Sequence, residues 1–229
     1  MKKRVLVLAV VIIFCLPGLC LAQLGGLLGK PGKKESTKVD VDGLSARSTD
    51  VMRLVRKATI SFAEAVVAVQ EAAGKKESAE KLKQNIANVK KSKPDIDNMK
   101  VLGGEVNNAT ADLDKNKDIE KIEAGEARKF LGNSILNVGV GILLDGIASE
   151  NASVLLNDSQ AALKQAPLAS TGKIEDVVSV AQFATREVPR QVTSMKTFSE
   201  NLVKYAKSHG IPCPSAEDAA QKAKNVMKE

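Results

Sequence analysis

The one histidine of this 229-residue chain stands four residues before Cys213, in the run His209-Gly-Ile-Pro-Cys213-Pro. Imidazole and thiolate both bind soft metals, and together they can make a base and a nucleophile. Each chemistry lacks its partners here. A zinc-type site takes three or four ligands, yet the sequence holds no CxxC, no HxxxH and no second histidine. A thiol nucleophile needs an orienting acid or amide and an oxyanion hole, and nothing in the sequence assigns either. Pro212 and Pro214 fix the backbone and oppose helix, so an ordered interhelix turn is the plainer expectation. Cys213 keeps one further chemistry, an intermolecular disulfide.

Other constellations are weaker. Glu120, Glu123 and Glu126 share a helix face, but acidic residues in a first turn ordinarily complement the helix dipole. Di-iron sites on bundles need Glu-x-x-His on two helices, which one histidine cannot supply. Gly139-Val-Gly141 is a fragment of a dinucleotide fingerprint with no preceding strand and no third glycine in place. No nucleophile elbow, P-loop or zinc-protease motif occurs. The expectation is a chain that is not an enzyme, with no catalytic set, no cofactor and no metal.

The segment FLGNSILNVGVGILLDGIA, residues 130–148, is apolar around the whole helix and carries Gly132, Gly139, Gly141 and Gly146. Each interior glycine costs ~1 kcal/mol relative to alanine. Close approach of neighbouring backbones would offset that. The spacing predicts a central helix buried on all sides. A second reading has the segment leave the bundle and enter a membrane, with the glycines as small-residue packing sites. Asn133, Asn137 and Asp145 oppose it, because a mid-bilayer aspartate costs ~2.5–3.5 kcal/mol. A turn within 138–141 would divide the segment into two helices.

The elements around it follow from periodicity. A first helix is predicted from Ser45 or Ser48, either able to cap it, to Ala73, ended by Gly74. Leu44, Val51, Val55, Ala58, Phe62, Ala65, Val69 and Ala72 give it a 3-4 stripe interrupted at Ser48. A second segment opens near Ser78 with Leu82, Ile86 and Val89 and breaks at Lys93-Pro94. The seven lysines between 75 and 93 read as a solvated face rather than an anionic docking surface. Ile96, Met99, Val106 and Leu113 continue the pattern, weakened by Gly103-Gly104. Asp118 is the predicted cap of the long third segment, which runs to about Gln165. The fourth spans about Lys173 to Ser208, and Pro189 should kink it near Thr185 or restart it after Val188. Ser215 should cap a last short helix, 216–227.

Residues 1–22 resemble a secretory signal: Lys2, Lys3 and Arg4, a 12-residue apolar run at 5–16, then Cys20-Leu21-Ala22 before the cut. That run rises ~18 Å, short of a ~30 Å hydrocarbon core, so a cleaved export signal of bacterial type is favoured over an uncleaved anchor. Leu19 before Cys20 and Phe14 before Cys15 also disfavour a lipoprotein. Residues 23–43, rich in Gly and Lys, read as a flexible linker. Residues 44–229 form one domain. The chain carries +7, but three basic residues lie in the signal, and the remainder is mildly basic and nearly free of aromatics. Nucleic acid is therefore not an expected partner. With Cys15 and Cys20 removed, Cys213 stands alone and no intramolecular disulfide can form.

The fold class that follows is all-α: an elongated bundle of four to six helices behind a cleaved N-terminal signal peptide and a flexible linker. The expected role is that of an exported, periplasmic or extracellular, non-catalytic protein. It would act through an exported protein partner or the envelope surface, and a homo-oligomer is compatible. The alternatives are a membrane-active, pore-former-like protein using 130–148, and a small-molecule-binding bundle with its cavity along that segment.

Overall fold

Six α-helices and one short 3-10 turn make up nearly all of the computed structural model, which describes residues 39–228 and leaves out the side chains of 124 and 126–129. Among the described residues there is no strand, so the protein is an all-α bundle. The expected signal peptide, the linker up to residue 38 and the side chain of Glu126 lie outside the described residues.

Helix α1 (Val41–Ala72) starts earlier than the serines predicted. The Asp40 carboxylate accepts a hydrogen bond from Gly43 N at 2.9 Å and caps it, so the last residues of the expected linker are helical. Val39 and Val41 rest against the core and hold this extra turn. Gly74 takes the left-handed conformation that ends the helix, with φ +76°. The α1 stripe is buried from Leu44 to Val69, Ser48 included.

Helix α2 (Lys76–Lys91) stops before Lys93-Pro94 as predicted. Arg56 of α1 finishes it, donating from Nη2 to Val89 O and Lys90 O, both at 2.6 Å. Two of its lysines pair with acids on α1: Lys83 with Glu71 and Lys90 with Glu64. These are ion pairs on a solvated face. Helix α3 (Ile96–Lys115) is capped by Asp95, which accepts from Asn98 N at 2.8 Å.

Asp118 does not cap the long helix. It opens the 3-10 turn Asp118–Lys121, where Lys75 at 2.8 Å and Lys121 at 3.2 Å hold its carboxylate. Lys75, and secondarily Lys121, keep that carboxyl below its ordinary range against the effect of burial. The long helix α4 (Ala124–Leu163) begins after this turn and runs unbroken for 40 residues, so 138–141 is not a turn. Helix α5 (Leu168–Ser208) is likewise continuous through Pro189. The proline is exposed, so what it lacks is one backbone donor on the solvent side, and the expected restart does not occur. Helix α6 (Ala216–Lys228) has the predicted Ser215 cap. Asp218 N donates to Ser215 Oγ at 3.1 Å, and Ser215 N donates back to Asp218 Oδ2 at 2.8 Å.

Helix α4 runs antiparallel to α1, in a register fixed by Arg47–Asp158 at 2.7 Å near one end and by Phe62 against Gly141 further along. Helix α5 returns antiparallel beside α4, after the short connection at residues 164–167. Helix α6 packs on α4, and its C-terminal end reaches α1. Lys57 Nζ donates to Val226 O at 2.5 Å and Arg53 Nη1 to Met227 O at 3.4 Å, so cations of α1 meet the carbonyl end of α6. Lys222 Nζ donates to Asn137 Oδ1 at 2.6 Å and ties α6 to α4. The core is aliphatic and alanine-rich, with Phe62 and Phe198 its largest fully buried side chains.

Candidate functional site

Helix α5 ends in a turn that gives the two chemistry-bearing residues different partners. Gly210 sits at φ +63°, and Ile211 N donates back to Ala206 O at 2.8 Å, closing the helix and burying the Ile211 side chain. The His209 ring stacks on Tyr205 with centroids 4.1 Å apart. Its Nδ1 lies 2.9 Å from Ser208 Oγ and 3.0 Å from Tyr205 O. Tyr205 in turn donates its hydroxyl proton to Ile122 O. The imidazole is thus an end group of α5. No hydrogen bond joins it to Cys213 among the described residues.

Cys213 is half-buried, and its Sγ lies 4.0 Å from Ile211 O. Burial pushes its thiol pKa up, and the Lys207 charge opposes this less strongly. A thiol kept protonated is a poor nucleophile. Among the described residues no group of three or more His, Cys, Asp or Glu side chains could hold a metal.

What the turn does is bring Cys213 beside the glycine-rich helix. Pro212, Cys213 and Pro214 form one side of a surface groove of about 560 Å³, with Gly132 and Leu136 of α4 as its floor. Asp218, Gln221, Lys222 and Asn225 of α6 line the other side. Two features singled out separately in the sequence therefore share one groove. The α6 residues carried no signal of their own: they are the polar side of a short amphipathic helix, and only its position on α4 makes them a rim.

The four glycines of α4 are not equivalent. At Gly132 an added Cβ would meet nothing within 4 Å; it faces the groove. At Gly139 it would lie 3.0 Å from Ala219 Cβ of α6. At Gly141 it would strike the Phe62 ring, 2.6 Å from Cδ1. Gly146 is partly buried. The close approaches at Gly139 and Gly141 come from side chains of α6 and α1, not from neighbouring backbones as expected. The helix is also not buried all round, because Asn133 is exposed.

One turn beyond Gly141 lies Asp145, fully buried, with neither carboxylate oxygen hydrogen-bonded. Burial alone drives its pKa well above the ordinary aspartate value. The α1–α4 register sets it level with residues 58–60 of α1. From sequence it weighed only against membrane insertion; that it would be sealed without a partner was not visible.

No family model, no curated protein and no solved structure matches this chain.

The groove therefore carries the functional reading through its own chemistry. The groove is accessible and mixed in polarity. Asp145 is sealed inside the bundle and reaches no solvent-facing substrate position.

Proposed function

We propose that the protein is an exported, non-catalytic helical bundle that works by binding a segment of another envelope protein in the α4–α6 groove. The observation that supports this is the groove's construction. Apolar groups at the floor (Leu136) and along one side (Pro212 and Pro214) stand against the polar side chains Asp218, Gln221, Lys222 and Asn225, a mixture of apolar and polar surface of the kind that protein interfaces use. Export rests on the signal-like residues 1–22.

In-cell photo-crosslinking tests the proposal. A benzophenone amino acid at Leu136 should give one discrete adduct in the producing organism, and the same probe at Val101, an exposed residue of α3, should give none. Gly132→Trp, which fills open space, should remove the Leu136 adduct while leaving the helical circular dichroism unchanged. Equal adducts at both probe positions, or none at Leu136, would refute the reading.

A membrane-active role draws on one specific observation: Phe130–Leu163 is long and apolar enough to cross a membrane, by length and composition. Against it, Phe62 and α6 engage the same helix. The expected result at pH 7 is no dye release from anionic vesicles and slow amide exchange across residues 138–152. Leakage accompanied by fast exchange there would replace the groove reading with the membrane one.

A further inference from the structure

A second cleft, of about 300 Å³, opens between α1, α3 and α5. Val55, Met99, Phe183 and Val188 supply apolar walls. The polar groups inside are carboxamides and a hydroxyl. Gln191 is only 7 % exposed. Thr59 Oγ1 donates to Val55 O at 2.9 Å and shares that proton with Gln191 Oε1 at 3.3 Å, while Gln191 Nε2 is buried with no partner. Across the same cleft, Asn107 Oδ1 is also buried and unpartnered. One donor and one acceptor are thus left unsatisfied in one cavity, and buried polar atoms ordinarily find partners.

Gly103 and Gly104 form the remaining wall, in the interior of α3. Packing does not require glycine at either position. A Cβ on Gly103 would lie 3.7 Å from Gln191 Nε2, an ordinary contact, and one on Gly104 would meet nothing within 4 Å. Alanine is the better helix former at both. What the pair achieves is room beside the unpartnered amide. Lys100 and Glu187, of opposite sign, belong to the lining. Lys100 is exposed and Glu187 half-buried, so neither gives a buried charge a counter-ion deep in the cleft.

We infer that this cleft binds a small amide-bearing molecule of dipeptide size. The ligand's carbonyl accepts from Gln191 Nε2, its N–H donates to Asn107 Oδ1, and an apolar substituent lies against Met99 and Phe183. A secondary amide carries an acceptor and a donor on opposite edges, the two complements that Gln191 Nε2 and Asn107 Oδ1 call for. The volume stands at the lower end of the ~300–1,000 Å³ range of ligand pockets. The site lies on different helices from the α4–α6 groove and does not depend on it. It also differs from a cavity along residues 130–148, the place the sequence suggested for a ligand.

Nitrogen-15 NMR of the whole processed protein decides. Two probes are titrated to ~10 mM, a range that detects millimolar binding: N-acetyl-leucinamide and the zwitterion Ala-Leu. The expected result is a saturable shift of the Gln191 side-chain NH2 and of the Gly103 and Gly104 amides. Binding should weaken about tenfold or more in Gln191→Leu, a loss of ~1.4 kcal/mol. It should weaken as much in the double variant Gly103→Ala with Gly104→Ala, whose melting temperature should not fall. A response to the capped amide alone points to a segment within a longer chain, and one to Ala-Leu alone to a free peptide; both support amide recognition. No saturable shift with either probe, or equal binding by the double alanine variant, overturns the inference and leaves a cleft that holds water only. Gly132→Trp should bind both probes like the wild type, so failure of the groove and failure of this site are separately visible.

Discussion

Gly141→Ala lowers the stability of the bundle by about 2 kcal/mol, within the range for overpacking a well-filled core, while Gly132→Ala is neutral or stabilising. The sign at Gly141 is the informative part, because alanine gains ~1 kcal/mol of helix propensity over glycine at any interior position. The steric term must exceed that gain. Phe62 has no exposed surface, and its ring occupies the space a Gly141 methyl would take. A close-packed interior gives such a ring nowhere to swing. At Gly132 the added methyl meets nothing within 4 Å, so propensity alone acts. Gly139→Ala falls between, since its methyl would lie 3.0 Å from Ala219 Cβ and α6 must yield slightly. Urea melts of the three variants should therefore rank 132, 139, 141 in decreasing stability. Phe62→Leu should recover part of the Gly141→Ala loss, with a coupling of about 1 kcal/mol between the two sites. Equal effects at all three positions would mean that Phe62 does not fill the glycine notch.

This notch shows what could and could not be read from the sequence. The α1 stripe is a one-dimensional pattern and announced the buried face of α1, Phe62 included. The glycines of 130–148 announced that something approaches α4. Matching the two requires the α1–α4 register, a tertiary relation that Arg47–Asp158 marks near one end. Chain breakers with local causes were legible: Gly74, Lys93-Pro94 and the Ser215 cap. Where several short polar side chains compete, the outcome was tertiary. Asp40 captured the start of α1 from Ser45 and Ser48. Lys75, from the turn after α1, drew Asp118 into a 3-10 turn, away from the start of α4. Pro189 left the helix continuous, with its missing donor on the exposed side. Both clefts were invisible for the same reason. The first joins α4 to residues 212–225 and the second joins three helices distant in sequence, and the residues that give each its character, Lys222 in one and Gln191 in the other, look like ordinary surface polar residues until their partners are placed.

Asp145→Asn raises the stability of the protein at pH 7.5 by about 2 kcal/mol, within the cost range of a polar group buried without a partner, or roughly 4–8 °C in Tm for a domain of this size. The gain should vanish as pH falls toward 4. The direction follows from proton counting. Burial raises the folded-state pKa of Asp145 well above its ordinary value of 3.8, so the folded protein holds a proton that the unfolded chain releases. Stability contributed by the protonated form is complete below pH 3.8 and is lost as pH rises through the folded pKa, at about 1.4 kcal/mol per pH unit in the interval. Asparagine keeps the shape and cannot ionise, which removes the slope. Other acids act in the opposite sense. Lys75 and Lys121 lower the Asp118 pKa, and hydrogen bonds from Ser215 lower that of Asp218; both favour the folded state above the ordinary aspartate range and lose this effect in acid. They are common to wild type and variant, so the difference between the two stability curves isolates Asp145. A difference that stays flat from pH 4 to pH 7.5 would show that the carboxylate has found a partner or water. A difference that grows with pH means that the most apolar helix of the bundle holds a neutral acid at its centre. The bundle is then less stable at neutral pH than its packing alone would make it.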